Sequence, residues 1–349
     1  MLHLHTLWFI IVAFFWTGFF VLEGFDFGVG MLHAAVGRTD AERTAALETI
    51  GPFWDGNEVW LIVAGASMFA AFPGWYASAF SALYLALLLI LVALMVRGVS
   101  FEYRDKLGDP RWHRTWKWAT IVGSALIPLL LGVGLGDLLK GLPINQDHNF
   151  TGNFFDLLTP YGLFTGVTLL VLSALHGAVF LTLKSSGVIR ERAHAIARRL
   201  SWVAIAVVVG FMIWTRIVVG PSFSTPVLAI VVLAVLATTY LIHSRLEGWA
   251  FATSAATMAM SVVSIFVGLY PNVMVSSTNH AYNLTVSNTS SSGYALKVMT
   301  VVAVLFLPLV LLYQGWSYHV FRARVRVEPA KTASPVPPPS PMTPPTPPQ

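Results

Sequence analysis

The sequence predicts an all-α polytopic membrane protein. Of its 349 residues 56% are hydrophobic and only 11% charged. Its mean hydropathy is +0.70, and apolar windows recur along the whole chain instead of clustering at one end. A helix needs about 20 apolar residues to cross a ~30 Å hydrocarbon core. Unpaired backbone in lipid leaves only helices or closed barrels, and these runs are too long and too unalternating for barrel strands. Nine transmembrane helices are expected, over residues 6–33, 55–73, 77–99, 117–139, 160–184, 200–219, 225–243, 250–270 and 296–320. They form one transmembrane domain, residues 1–327, followed by a tail, residues 328–349.

Taken in order, the elements also fix an orientation. The N-terminus MLHLHT carries no Lys or Arg, and the first apolar run passes into Glu23 without a small-residue cleavage site, so it reads as a retained helix. Span 1 is followed by Arg38 and Arg43. Span 3 is followed by Arg104, Lys106, Arg111 and Arg114, with Arg97 and Lys117 on either side. Arg190, Arg192, Arg198 and Arg199 follow span 5, Arg245 follows span 7, and Arg322, Arg324 and Arg326 follow span 9. The alternate connections are poor in basic residues: FPGWYAS, VVGPSFS and residues 272–295 have none, and residues 140–159 have only Lys140. The positive-inside rule therefore places the N-terminus outside and the C-terminus in the cytoplasm. The formal net charge of +5 is accounted for by these clusters, and nucleic acid is not an expected partner.

Two outward connections, LPINQDHNFTGNFFDLLTP and NVMVSSTNHAYNLTVSNTSSSG, are polar and long enough for short lids or partner contacts. They contain Asn149, Asn283 and Asn288 in N-x-S/T triplets, a pattern common by chance. The tail from Glu328 is Pro-rich, cannot form a packed core, and is expected to be disordered and cytoplasmic. No internal repeat is evident. The absence of cysteine excludes disulfides, thiolate metal sites, iron–sulfur clusters and a cysteine nucleophile, so redox chemistry needs other ligands or another chain.

The chemistry is concentrated in two stretches, Glu23 with GFDFGVGM and GPFWDGNEVW. Carboxylates beside or inside apolar runs are costly unless neutralised, paired or hydrated. Glu23 and Asp26 are three residues apart and share a helical face, as do Asp55 and Glu58 at the start of span 2. With the predicted topology all four converge at the cytoplasmic side. Clustered acids in a low-dielectric setting exchange protons readily near neutral pH, which makes a proton pathway through Asp26, Asp55, Glu23 and Glu58 the functional expectation. The competing structural reading makes Asp55 and Glu58 helix-start residues.

Arg97 is a candidate counter-charge or a snorkelling anchor. Trp54 is an interfacial residue or a group that orders Asp55. Gly24, Gly28 and Gly30 follow no strand and read as a helix-packing face, not a phosphate loop. Among the ten histidines only His33, His176 and His319 fall near or within spans, with no recognisable axial-ligand spacing, so no haem or metal site is expected in this chain.

The motifs LEGFDFGVGML, GPFWDGNEVWLI, FAAFPGWYASAFSALYL, RGVSFEYRDK, GLPINQ and TGNFFDLLTPYGL, with LYPNVMVSST and LKVMTVVAV, resemble subunit II of the cytochrome bd quinol oxidases. The resemblance covers the chain up to the tail. It implies two four-helix bundles plus a peripheral ninth helix in the bacterial or archaeal cytoplasmic membrane. It also implies pairing with a homologous subunit I that carries the haems, b and d type, and the quinol site, with a small single-helix third subunit in many members. Such a complex oxidises quinol and reduces oxygen to water with cytoplasmic protons, and this chain would be inactive alone. The family's proton-entry acids fall on Asp26 and Asp55, with Trp54 beside the second, and some members hold a structural quinone in this subunit.

Two other functions fit parts of the pattern. A proton-coupled secondary transporter also uses intramembrane carboxylates and Gly-rich helices, but the repeat and the paired broken helices of such folds are missing. A purely structural partner of a haem subunit would need the acids only for folding.

Overall fold

The computed structural model describes residues 3–220 and 223–326, and the expected disordered tail lies outside the described residues. The helices are α1 (Leu4–Val36), α2 (Asp40–Glu48), α3 (Trp54–Ala71), α4 (Pro73–Ala82), α5 (Tyr84–Tyr103), α6 (Pro110–Lys140), α7 (Pro160–Lys184), α8 (Gly187–Val219), α9 (Thr225–His243), α10 (Glu247–Leu269) and α11 (Gly293–Val320). All but α2, α3 and α4 are long and apolar enough to cross a membrane, which gives eight such helices among the described residues. The protein is a multi-pass membrane protein. Helix α3 occupies the place of the expected second span, but its first turns carry Asp55, Asn57 and Glu58, which lower its hydropathy.

Several boundaries differ from the sequence expectation, for local reasons. The expected span 3 is two helices meeting at Leu83, and Pro73 already starts α4 because proline at the first helical position needs no N–H partner. Helix α8 begins well before its apolar run, since Arg, Ala and Glu are good helix formers outside lipid as well as inside it, and α6 starts early at Pro110, where the Asp109 side chain accepts from the Arg111 N–H. The short α2 carries a capping box in which Thr39 Oγ1 accepts from Glu42 N–H at 3.2 Å and Glu42 accepts from the Thr39 N–H.

Helix α1 is the hub, packing against α3, α6, α7 and α10. Helix α5 packs on α6, and α7, α8, α9 and α10 pack among themselves. The α1–α7 crossing is close because glycine meets glycine: a Cβ on Gly28 would lie against the backbone of Ser173 and 2.6 Å from Gly177 Cα. Helix α11 lies outside, with Leu296 its only buried residue. The Trp8 Nε1–H donates to Leu296 O at 3.1 Å and Thr300 Oγ1 at 3.0 Å, fastening one end of α11 to α1.

The two ends of the molecule differ in chemistry. At one end the basic connections are tied by ion pairs, Arg192 to Glu42 at 2.7 Å and Arg190 and Arg324 to Glu247 at 2.7 and 2.8 Å. The Arg38 backbone N–H and the Arg192 guanidinium hold the Glu42 carboxyl below the usual glutamate range. At the other end the two polar connections knit together. Leu142 N–H donates to Val275 O at 3.0 Å, Ser277 N–H donates to Leu142 O at 2.9 Å, and β1 (Asn272–Met274) pairs antiparallel with β2 (Leu284–Thr285).

Candidate functional site

The acidic stretches meet at Arg97. Glu23 and Asp26 share one face of α1, Glu58 comes from the start of α3, and Arg97 reaches in from α5. The Arg97 Nη1 lies 2.5 Å from Glu23 Oε1 and 3.6 Å from Glu58 Oε2. The guanidinium carbon sits 4.9 Å from the Phe27 ring centroid and 5.0 Å from that of Phe101, so aromatic faces complete its surroundings. Helix α6 comes close to Arg97 at Gly123, where a Cβ would stand 3.2 Å from the Arg97 Cβ. Arg97 is thus a buried counter-charge and not a snorkelling anchor.

Burial is graded along the acids. Asp55 is exposed, the Glu58 side chain is 25% exposed, and Glu23, Asp26 and Arg97 are fully buried. One guanidinium is in contact with two carboxyls, Glu23 and Glu58, and Asp26 lies on the same face of α1 as Glu23. Glu23 Oε1 is in ion-pair contact with Arg97, whereas Glu23 Oε2, Asp26 Oδ1 and Glu58 Oε2 are buried without a hydrogen-bond donor. Such a group can hold protons and pass them among its members.

The remaining predicted residues are placed as follows. Trp54 packs edge-on against Phe101 with ring centroids 5.2 Å apart and lies over Gly98, so it braces α3 against α5. Gly24 faces Met258 and Ser173, Gly28 faces α7, and Gly30 faces Ser124 of α6. Among the histidines, His176 bonds through Nδ1 to Ser254 Oγ at 2.7 Å and through Nε2 to Val21 O at 3.2 Å. His33 Nδ1 bonds to Gly30 O at 2.7 Å. Both rings serve helix contacts. Among the described residues no group of three or more His, Cys, Asp or Glu is placed to hold a metal ion.

Sequence reasoning missed two features. Asn57, fully buried, donates to Asp26 Oδ2 at 2.7 Å, and Gln314 and Tyr318 of α11 converge on it. Its position inside WDGNEVW was the available signal. The second is Asp137, a buried acid near the far end of α6. Its Oδ1 accepts from Thr159 Oγ1 at 2.6 Å while Oδ2 has no partner. An acid inside the apolar run LLLGVGLGDLLK was visible in the sequence.

This arrangement can be set beside known proteins. The family model described as "Cytochrome bd terminal oxidase subunit II" matches residues 4–321. The chain belongs to the cytochrome bd terminal oxidase subunit II family. It is 41% identical to the cytochrome bd ubiquinol oxidase subunit 2 of Bacillus subtilis, over 93% of this chain and 98% of that one. It is 36% identical to the cytochrome bd-I ubiquinol oxidase subunit 2 of Escherichia coli, over 93% and 96% of the two chains. A solved structure of the bd oxidase from Geobacillus thermodenitrificans superposes with a TM-score of 0.74, covering 91% of this chain and 98% of the matched one. The identity there is 18%, so that likeness speaks for the fold alone. Membership in the subunit II family covers the acid cluster entire, since Glu23, Asp26, Glu58 and Arg97 all fall within the matched residues.

Proposed function

We propose that this chain is the subunit II of a membrane-bound quinol:oxygen oxidoreductase, in which it pairs with a haem-bearing subunit I and conducts cytoplasmic protons toward the oxygen-reduction site. Haems b and d belong to subunit I in this reading, and this chain is inactive alone. Quinol and oxygen are substrates of the complex, a small single-helix third subunit and a structural quinone in this subunit are compatible with it, and membrane lipid surrounds it.

The observation that carries the reading is the graded burial of acids ending at Arg97: exposed Asp55, half-buried Glu58, then fully buried Glu23 and Asp26. Asp55 and Glu58 are neighbours on one face of α3, so a proton arriving at the exposed acid is one helical turn from the cluster. The cluster belongs to the end of the molecule where the basic connections gather, the cytoplasmic end by the positive-inside rule. The N-terminus is then outside, and the complex sits in the bacterial or archaeal cytoplasmic membrane.

The test is Asp55→Asn in the complex purified through this chain. Oxygen uptake should fall while the visible haem bands and subunit content stay as in wild type. Wild-type turnover would remove Asp55 from the path, and a preparation without haem bands would defeat the oxidase assignment itself.

A further inference from the structure

The acid cluster is held by a side chain that reaches it from two directions. Asn57 Nδ2 donates to Leu22 O at 3.2 Å and to Asp26 Oδ2 at 2.7 Å. On its other side Asn57 Oδ1 accepts from Gln314 Nε2 at 2.8 Å and from the Tyr318 hydroxyl at 2.9 Å. A backbone carbonyl can only accept, so the nitrogen of the amide must face Leu22 and Asp26, and the oxygen must face α11. All four hydrogen-bonding positions of the amide are then used and it has no reason to flip.

Gln314 and Tyr318 are four apart and share one face of α11. That helix is otherwise largely exposed in this chain, with Val304, Leu305 and Leu312 at 60% exposure or more. The two polar side chains that it turns inward are both hydrogen-bonded to Asn57 and join this end of α11 to the cluster. Tyr318 is also fixed by its ring, which stacks on Phe53 at 4.5 Å and 5°. Asp26 in turn has its two oxygens in different states: Oδ2 is engaged by Asn57, and Oδ1 is buried without a partner.

We propose that Asn57 is the positioning residue for proton transfer at Asp26, and that Tyr318 and Gln314 make the peripheral helix α11 part of that device. Asn57 offers only N–H to Asp26, so Oδ2 stays an acceptor and the proton is taken up and released at Oδ1. An O–H bond forms there as the donor's O–H bond breaks, and no electrons change hands. The inference rests on Asp26 lying on the proton path.

The experiment compares the complex co-purified with its haem-bearing partner in wild type, Asp26→Asn, Asn57→Leu and Tyr318→Phe, by oxygen uptake and by redox-induced infrared difference spectroscopy. Asp26→Asn should slow turnover and remove one protonated-carboxyl band. In Asn57→Leu the same band should move to higher wavenumber, because its carbonyl oxygen loses a hydrogen bond, and turnover should fall roughly tenfold, as for one hydrogen bond to a charged group. Tyr318→Phe keeps the stacked ring and removes one neutral donor, so it should shift the band less and cost about two- to fivefold in turnover.

An unmoved band with wild-type turnover in Asn57→Leu overturns the proposal, and the same result in Tyr318→Phe overturns the part played by α11. Should Asn57→Leu not assemble, Tyr318→Phe decides. Loss of no band in Asp26→Asn also overturns it, since Asp26 then carries no proton. Wild-type turnover in Asp26→Asn would instead defeat the proton-path reading, whereas a slow Asp26→Asn beside unaffected Asn57→Leu and Tyr318→Phe defeats the positioning alone.

Discussion

Removing the Arg97 guanidinium by Arg97→Met should be among the most destabilising single changes in this chain. The side chain is fully buried, pairs with Glu23 at 2.5 Å and Glu58 at 3.6 Å, and lies over Phe27 and Phe101. Breaking a buried pair strands the partner charge and costs about 3–5 kcal/mol. Glu23→Gln should cost less, about 1–3 kcal/mol, because Arg97 keeps Glu58 as a partner. The double variant removes the stranded charge along with its cause, so its loss should fall short of the sum of the two singles by roughly 1–3 kcal/mol. For a chain of this size each kcal/mol moves the melting midpoint by roughly 2 °C, so Arg97→Met should melt about 6–10 °C below wild type. The assay is the thermal melt of the detergent-solubilised complex followed by helical circular dichroism, for both singles and the double at one detergent concentration. Additive losses, or an Arg97→Met complex melting within about 1 °C of wild type, would refute the view that Arg97 and Glu23 stabilise each other.

Two further outcomes follow from the packing and from the basic end. Gly28→Ala places a methyl group against the α7 backbone at Ser173 and Gly177, where nothing can swing away, and should cost about 1–3 kcal/mol; Gly24→Ala meets the flexible Met258 Cε at 3.2 Å and should cost less than about 1 kcal/mol, a contrast read from the yield of assembled complex and its melting midpoint. Glu42, held below the ordinary value of 4.5 by Arg38 N–H and Arg192, contributes stability that is present above that value and lost as the pH falls through the lower folded value; the melting difference between wild type and Glu42→Gln should therefore persist at pH 7 and vanish in strongly acidic buffer, and a difference that grew on acidification would contradict the clamp.

Much of this molecule is legible along the chain. Apolar runs announce the long helices because the cost of leaving them in water is paid residue by residue, wherever they end up packing. Glu23 and Asp26 stand out for the same reason, as acids where lipid would penalise them, whereas α2 with its Thr39–Glu42 capping box was not read from the sequence. Helix ends outside lipid were less legible. The first turns of α8, rich in Arg and Ala, are as helical as the apolar part but carry no hydropathy signal. Asp55 and Glu58 read as equals in sequence, yet one is exposed and the other half-buried.

What the sequence by itself determined is the inventory: apolar helices, alternating basic connections, four acids and one arginine near them. Tertiary structure alone decided which of these meet. Arg97 of α5 meets Glu23 of α1 and Glu58 of α3, and Asn57 meets Gln314 and Tyr318 although 257 and 261 residues separate them. Hydropathy is a local free energy and survives being read in one dimension. Hydrogen bonds between helices depend on the rotation and depth of each helix against its neighbours, and packing sets those.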